Sequence, residues 1–100
     1  MATNFKILTH RNSDNLHVKL SGDFDGGSAQ TLLALLKKMC SGTSKIFIHT
    51  SALRDIDPFG LSVFCNNIDF MKRLSIRVIL TGEKAHRLSP ETKKFISILN

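Results

Sequence analysis

The alternation of apolar and polar residues in the first quarter of the chain predicts a β-hairpin. Residues 5–9 form a short β-like run, and residues 12–15 are Asn and Asp with one Ser, which favour a turn. Leu16, Val18 and Leu20 then alternate with polar residues, and this period of two is typical of a strand with one buried face. We therefore expect two antiparallel strands at the start of the fold.

Apolar residues spaced three and four apart predict two helices after this hairpin. The first follows the Gly-rich break at residues 22–27, with Ser28 or Gly27 as its N-cap and Gly42 ending it. Residues 50–57 are predicted as a loop. The second helix has Asp57 as its cap and Pro58 at its first position, where a missing N–H costs nothing. The buried stripe of the first helix is Ala29, Leu32, Leu33, Leu36, Met39 and Cys40. The buried stripe of the second helix is Leu61, Phe64, Cys65, Ile68 and Met71, and Lys72 and Arg73 lie in its last turn.

The continuously apolar run at residues 46–48 predicts a strand covered on both faces. Ile76, Val78, Ile79 and Leu80 predict the next strand, which Thr81 and Gly82 end. A last helix is predicted from Ser89, Pro90 and Glu91, with Phe95, Ile96 and Leu99 on its buried face. The order is then β-β-α-β-α-β-α. It indicates one α/β domain over residues 1–100, with a mixed sheet of about four strands and helices packed mainly on one face.

Composition narrows the class of protein. The 100 residues are 42% hydrophobic and 22% charged, which is a globular balance. The longest apolar run is residues 32–36, far short of the roughly 20 residues that cross a bilayer, so no membrane insertion is expected. The start of the chain does not resemble a secretory signal, and the two cysteines form no CxxC pair, so we expect a cytoplasmic protein.

The net charge of +6 raises the question of an anionic partner. The basic excess is concentrated after residue 71, which leaves a small nucleic-acid-binding domain open as an alternative. The chain has no Tyr or Trp, however, and its phenylalanines occupy mostly apolar positions, so bases would find few stacking platforms. We expect the basic face to be solvated or to match an acidic protein surface, and we expect no nucleic acid.

Three segments in fixed order resemble the STAS domain family. They are Leu-Ser-Gly-Asp-Phe-Asp at residues 20–25, Ile-Phe-Ile-His-Thr-Ser-Ala-Leu at 46–53, and Asp-Ile-Asp-Pro-Phe-Gly-Leu at 55–61. This family includes anti-sigma factor antagonists and the cytoplasmic tails of sulfate transporters. The resemblance covers nearly the whole chain, and it implies a mixed sheet with a protein-binding surface at the loop before the second helix.

The resemblance also implies a phosphorylation switch, which this chain lacks at the usual position. In sigma-factor regulators the loop reads Asp-Ser-Ser-Gly or Asp-Ser-Thr-Gly, and a kinase phosphorylates its first serine. Here Asp57 and Gly60 match, but Pro58 stands at the serine position and Phe59 at the next. Proline has no hydroxyl, so residue 58 is not phosphorylated. His49 stands where the family usually has Asp, whereas Asp25 matches the acidic residue of the first loop.

The predicted function is therefore regulation by protein binding, without catalysis. The expected contact residues are Asp25, His49, Asp57, Pro58, Phe59, Gly60 and Leu61. Phe59 is either a core residue or an exposed anchor for a partner. Ser51 and Ser62, which flank the loop, are weaker alternatives for phosphorylation.

No metal, cofactor or catalytic residue is expected. His49 with Asp55 and Asp57 could form a metal or acid–base site at one sheet end, but a polar strand end explains them more simply. Cys40 and Cys65 lie on apolar helix faces, as inert thiols do. No phosphate-binding glycine loop or nucleophile motif is present.

Two kinds of partner stay open for a bacterial protein of this family. The first is an anti-sigma, kinase-like protein. The second is the ATPase of a membrane lipid transporter, of which the chain would be a cytoplasmic accessory subunit. Small-ligand binding at the sheet end is a further alternative. The oligomeric state is open, and a dimer is compatible with the sequence.

Overall fold

In the part of the chain that the structure describes, five strands form one mixed sheet whose spatial order follows their order in the sequence. The computed structural model describes residues 3–89 and 93–99. Strand β1 is antiparallel to β2, as the hairpin pattern predicted, and β2 to β5 run parallel to one another. The mixed α/β class is confirmed, with five strands rather than about four. The strands are β1 Lys6–Asn12, β2 Asn15–Phe24, β3 Lys45–Ile56, β4 Arg77–Thr81 and β5 Ile96–Leu99.

The helices α1 and α2 pack against each other and over one face of the sheet. Their buried residues form one cluster with the inward side chains of the strands, such as Val18, Ile48 and Val78, each with 0% exposure. Within the described ranges, no helix is both long and apolar enough to cross a membrane. The helices are α1 Gly26–Met39, α2 Pro58–Asn67, α3 Phe70–Arg73 and α4 Ala85–Leu88.

The opposite face of the sheet carries the outward side chains of the same strands. His17, Phe47 and Ile79 stand in register across β2, β3 and β4, and each is half-buried. Buried and more exposed residues therefore alternate along most of these three strands, so that one face of the sheet is dry and the other is partly solvated. This pattern is typical of a sheet that helices cover on one side.

The predicted C-terminal helix is wrong where the structure describes it. Ile96–Leu99 forms β5, which pairs in parallel with Val78–Thr81 of β4. Ile96 is buried and Leu99 is exposed, because a four-residue strand at the sheet edge can cover only part of its surface. The backbone hydrogen bonds offered by the edge of β4 decide this conformation. Pro90 and Glu91, the predicted start of the helix, lie outside the described residues.

Two further boundaries differ from the prediction. Residues 50–56, predicted as loop, continue β3, and two register shifts against β2 let polar residues of this segment face solvent. The predicted second helix is divided, since α2 ends at Asn67 and α3 begins at Phe70. Ile68 and Met71 on either side of the break are both fully buried, so packing holds the two pieces together.

Candidate partner-docking surface

The first part of the candidate site is the start of α1, where Asp25 is the N-cap. Its backbone is extended, and its Oδ1 accepts hydrogen bonds from the Ser28 backbone N–H at 2.8 Å and from the Ser28 hydroxyl at 2.9 Å. These two bonds to the charged form lower the pKa of the Asp25 carboxyl, with the backbone N–H as the larger cause. The prediction of Ser28 or Gly27 as N-cap is wrong. Asp25 caps the helix, and Ser28 donates the capping hydrogen bond to it.

The second part is the start of α2, which lies directly against the Asp25 segment. Asp57 occupies the N-cap position without a side-chain cap bond, and Pro58 is the first helical residue. The Asp57 backbone N–H donates to the Phe24 carbonyl at 2.9 Å, and this bond ties the end of β3 to the end of β2. Gly60 completes the junction, since a Cβ there would lie 2.7 Å from the Asp25 carbonyl carbon and oxygen. Only glycine permits this approach of α2 to the Asp25 backbone.

Phe59 is the most prominent side chain of this junction. It is 66% exposed, although phenylalanine is usually buried. One side of its ring lies over Gly26, where an added Cβ would come within 2.6 Å of two ring carbons. The ring therefore rests on the first residue of α1 and presents its other side to solvent. We call the surface formed by Asp25, Asp57, Pro58, Phe59, Gly60 and Leu61 the docking surface.

Leu61 and the two candidate serines lie around this surface. Leu61 is half-buried against the core, while Ser62 is exposed on α2 one turn after Pro58. Ser51 is exposed on β3, near the register shift. Both hydroxyls are open to solvent, so neither position is closed to modification. The carboxylates of Asp55 and Asp57 are exposed as well, which makes the rim of the docking surface partly acidic.

His49 is not part of this cluster. It lies within β3 rather than at its end, because the strand continues to Ile56. Its Nε2 is 3.0 Å from His17 Nδ1, and its Nδ1 is 2.5 Å from Thr81 Oγ1. The two imidazoles are nearly parallel, at 4°, with centroids 5.2 Å apart, which fits an in-plane N–H···N bond in which one ring donates.

The surroundings of His49 favour its neutral form. Burial, followed by the charges of His17 and Lys19, lowers the pKa of the His49 imidazole. Phe47 stacks on His17 with centroids 4.6 Å apart, so the pair is fixed on the outward face of the sheet. Across the described ranges, no group of three or more His, Cys, Asp or Glu residues could hold a metal ion. The site sketched from His49, Asp55 and Asp57 is therefore not assembled.

The contact of Phe59 with Gly26 was missed by sequence reasoning. The available signal was the pair of glycines at 26 and 27 after an aspartate, which we interpreted only as a break before the helix. Glycine, which has no Cβ, is common where another group must approach the backbone closely. Asp23 was also overlooked. Its backbone N–H donates to Asn4 Oδ1, and its Oδ2 accepts from Asn4 Nδ2. The other carboxylate oxygen, Oδ1, is buried and has no hydrogen-bond partner among the described residues.

Comparisons with known proteins agree with this geometry. The sequence pattern of the STAS domain matches residues 6–88. No curated protein matches the chain in sequence. The unphosphorylated form of the anti-sigma factor antagonist SpoIIAA superposes with a TM-score of 0.66 at 15% identity, over 96% of this chain and 87% of that one. The phosphorylated form of the Bacillus cell fate determinant SpoIIAA gives 0.64 at 13% identity, over 96% and 91%.

A structure of Mglu also superposes, with a TM-score of 0.67 at 20% identity. It covers 85% of this chain, but this chain spans only 20% of Mglu. A SpoIIAA-like protein of the DUF3478 family from Shewanella loihica gives 0.59 at 16% identity, over 100% and 91%. At these identities the superpositions establish a shared fold.

Proposed function

Because this chain belongs to the STAS domain family, we propose that it is a non-enzymatic regulatory domain that binds another protein through its docking surface. The observation that carries the proposal is the 66% exposure of Phe59 at the start of α2. Aromatic side chains near the centre of an interface commonly supply much of the binding energy. Here the ring is already held against Gly26, so little side-chain freedom is lost when a partner covers it.

The proposed partner is a kinase-like, anti-sigma-type protein in the bacterial cytoplasm. SpoIIAA, whose fold this chain shares, is an anti-sigma factor antagonist. This protein would differ from such antagonists in its control, because Pro58 offers no hydroxyl to a kinase. Proline also fixes φ and restricts the preceding residue, which keeps the loop in one conformation. The docking surface is then competent to bind at all times, unless Ser51 or Ser62 is modified.

Pro58 also favours a second candidate, an accessory subunit that binds the ATPase of a membrane lipid transporter. A loop that cannot be phosphorylated suits such a subunit. The same surface would be used in both cases, and the acidic rim of Asp55 and Asp57 would face basic groups on either partner. The two candidates therefore differ in the identity of the partner and not in the residues that bind it.

A quantitative binding experiment with matched variants tests the proposal. The protein is immobilised and exposed to lysate of its own organism, and retained ATP-binding proteins are identified, purified and titrated against it. Phe59→Asp is expected to weaken binding about 30-fold or more, a loss of about 2 kcal/mol that is typical of a central anchor residue. Leu8→Asp is the control, because Leu8 is 67% exposed and lies on β1, outside the docking surface.

Three further readings decide the outcome. Equal affinities for both variants would refute the docking surface. Retention of a soluble kinase-like protein supports the first candidate, whereas retention of a membrane-associated ATPase supports the second. Intact-mass measurement after incubation with the kinase and ATP tests modification directly. A phosphate on Ser62 or Ser51 would contradict permanent competence, and an unmodified chain agrees with it.

A further inference from the structure

Most of the basic residues of this protein lie where its parallel strands start, and the docking surface lies where they end. Strands β2 to β5 all start at one edge of the sheet, and Asn15, Lys45 and Arg77 stand there in register. The end of α1, the helix α3 and residues 93–95 lead into these strands and lie at the same edge. The docking surface is at the opposite edge, where β2 and β3 end. Most of the chain's 14 Lys and Arg residues lie at the starting edge: Arg11, Lys37, Lys38, Lys45, Lys72, Arg73, Arg77, Lys93 and Lys94.

A cavity of about 820 Å³ opens at this basic edge. We call it the basic cavity; its lining residues are Asp69, Lys72, Arg73, Lys93, Lys94 and Phe95. Four of the seven cations that follow residue 71 in the sequence therefore line one concave surface. Phe95, half-buried at its wall, adds apolar surface.

Among the described residues that line the basic cavity, Asp69 is the single carboxylate, and it is already compensated. Asp69 Oδ1 is 2.6 Å from Lys93 Nζ, and this is the one ion pair within residues 3–89 and 93–99. Lys72, Arg73 and Lys94 are left with no described carboxylate to neutralise them. Three cations of like charge repel one another, and an anion placed among them relieves that repulsion.

We propose that the basic cavity binds a small molecule that carries two adjacent phosphate groups. A diphosphate has a charge near −3, which matches the three unpaired cations better than a single phosphate does. The planar guanidinium of Arg73 can hold one phosphate through two parallel hydrogen bonds, and the lysines act as point charges for the other. The cavity volume lies in the range of roughly 300–1,000 Å³ that is common for small-molecule sites, so it leaves room for an organic group beside Phe95.

Isothermal titration calorimetry of the full chain at low salt tests this site. Pyrophosphate and ADP are expected to bind about tenfold more tightly than orthophosphate, because a second charged contact forms. Arg73→Gln and Lys94→Gln should each weaken pyrophosphate binding about tenfold for the same reason. Asp69→Asn should strengthen pyrophosphate binding, since it removes the one carboxylate found among the described lining residues and releases Lys93. Arg54→Gln is the control, because it removes one positive charge, as Arg73→Gln does, but at the opposite edge of the sheet. It should leave the affinity for pyrophosphate unchanged.

The result also distinguishes sources of the diphosphate. Tighter binding of ADP than of pyrophosphate supports a nucleotide-like ligand beside Phe95, and equal binding supports recognition of the phosphates alone. Absence of binding at millimolar pyrophosphate and ADP would overturn the proposal, as would an equal loss in the Arg54→Gln control. Binding only to RNA or to vesicles with anionic headgroups would also overturn it, in favour of a surface for large polyanions. Phe59→Asp should bind pyrophosphate normally, so this proposal and the proposed function can fail separately.

Discussion

Gly60 and Gly26 allow a sharp test of how the docking surface is built. A Cβ at Gly60 would lie 2.7 Å from the carbonyl carbon and oxygen of Asp25, which belong to the backbone of the α1 N-cap. A Cβ at Gly26 would lie 2.6 Å from ring carbons of Phe59, an exposed side chain that can turn away. The two clashes are similarly close, yet only the first requires two elements to separate.

The free energies of unfolding follow from this difference. Alanine in a helix is favoured over glycine by about 1 kcal/mol, whereas overpacking against a fixed backbone costs about 1–3 kcal/mol. We expect Gly60→Ala to destabilise the protein by about 1–2 kcal/mol, because the separation also strains the Asp57–Phe24 hydrogen bond. The midpoint of thermal unfolding should fall by roughly 5–15 °C for a domain of this size.

Gly26→Ala is the matched control, and its free energy of unfolding should change by no more than about 0.5 kcal/mol. Urea unfolding followed by circular dichroism, with m-values compared between variants, measures both effects. The reasoning is refuted if the two variants unfold at the same midpoint. A displaced Phe59 ring in Gly26→Ala should also weaken partner binding without loss of stability, which separates the role of this contact in docking from its role in folding.

Substitutions of Asp25 and His49 and chemical modification of Cys65 test three local interactions. Asp25→Ala should lower the midpoint of thermal unfolding and Asp25→Asn should not, because only alanine lacks an acceptor for the Ser28 N–H. Equal midpoints for the two variants would contradict the capping role of Asp25. The pKa of Asp25 is lowered by folding, so its contribution is present above pH 3.8 and is lost as the pH falls through the lower folded value. The pKa of His49 is also lowered, so the folded state binds fewer protons and stability should fall as the pH decreases below 6.5. In His49→Gln, the free energy of unfolding measured with urea should depend less on pH in that range. An unchanged pH dependence would contradict this role of His49. Burial raises the pKa of the Cys65 thiol, so iodoacetamide should modify the native protein more slowly than the urea-unfolded chain, and equal rates would contradict this.

The sequence pattern was sufficient for the order of the main strands and helices as far as β4, though not for all of their boundaries, because two periodicities were strong there. The alternation of Leu16, Val18 and Leu20 and the helical spacing of residues 29–40 each correspond to a real buried face. Beyond β4 the local signals were misleading. Ser-Pro-Glu is a good helix start, and Phe95, Ile96 and Leu99 have helical spacing, but the open edge of β4 pairs with residues 96–99 instead. A strand of four residues depends on its neighbour, and no local pattern specifies it.

The start of α2 at Pro58 was predictable from the sequence, but the way in which the surrounding residues are brought together was not. Pro58 at the first position of α2 follows from proline geometry alone. The exposure of Phe59 does not, because it depends on Gly26, which is distant in the chain and meets the ring only after the ends of β2 and β3 are joined. The position of His49 could not be predicted either. Its place within β3 follows from the register shifts against β2, which place polar residues on a continuing strand.

The helix α1 runs from the docking surface to the end of the sheet at which the basic cavity opens, and this geometry limits how the two sites can communicate. Asp25 caps one end of the helix and Lys37 lies in its last turn. A helix of 14 residues is about 21 Å long, whereas charges in physiological salt are screened over about 8 Å. An anion in the basic cavity therefore has little direct electrostatic effect on a partner at Phe59. If pyrophosphate changes the affinity for the partner, the coupling must be mechanical. It would pass through α1 to the Gly60–Asp25 contact, where the close approach of two backbones leaves little room for independent movement.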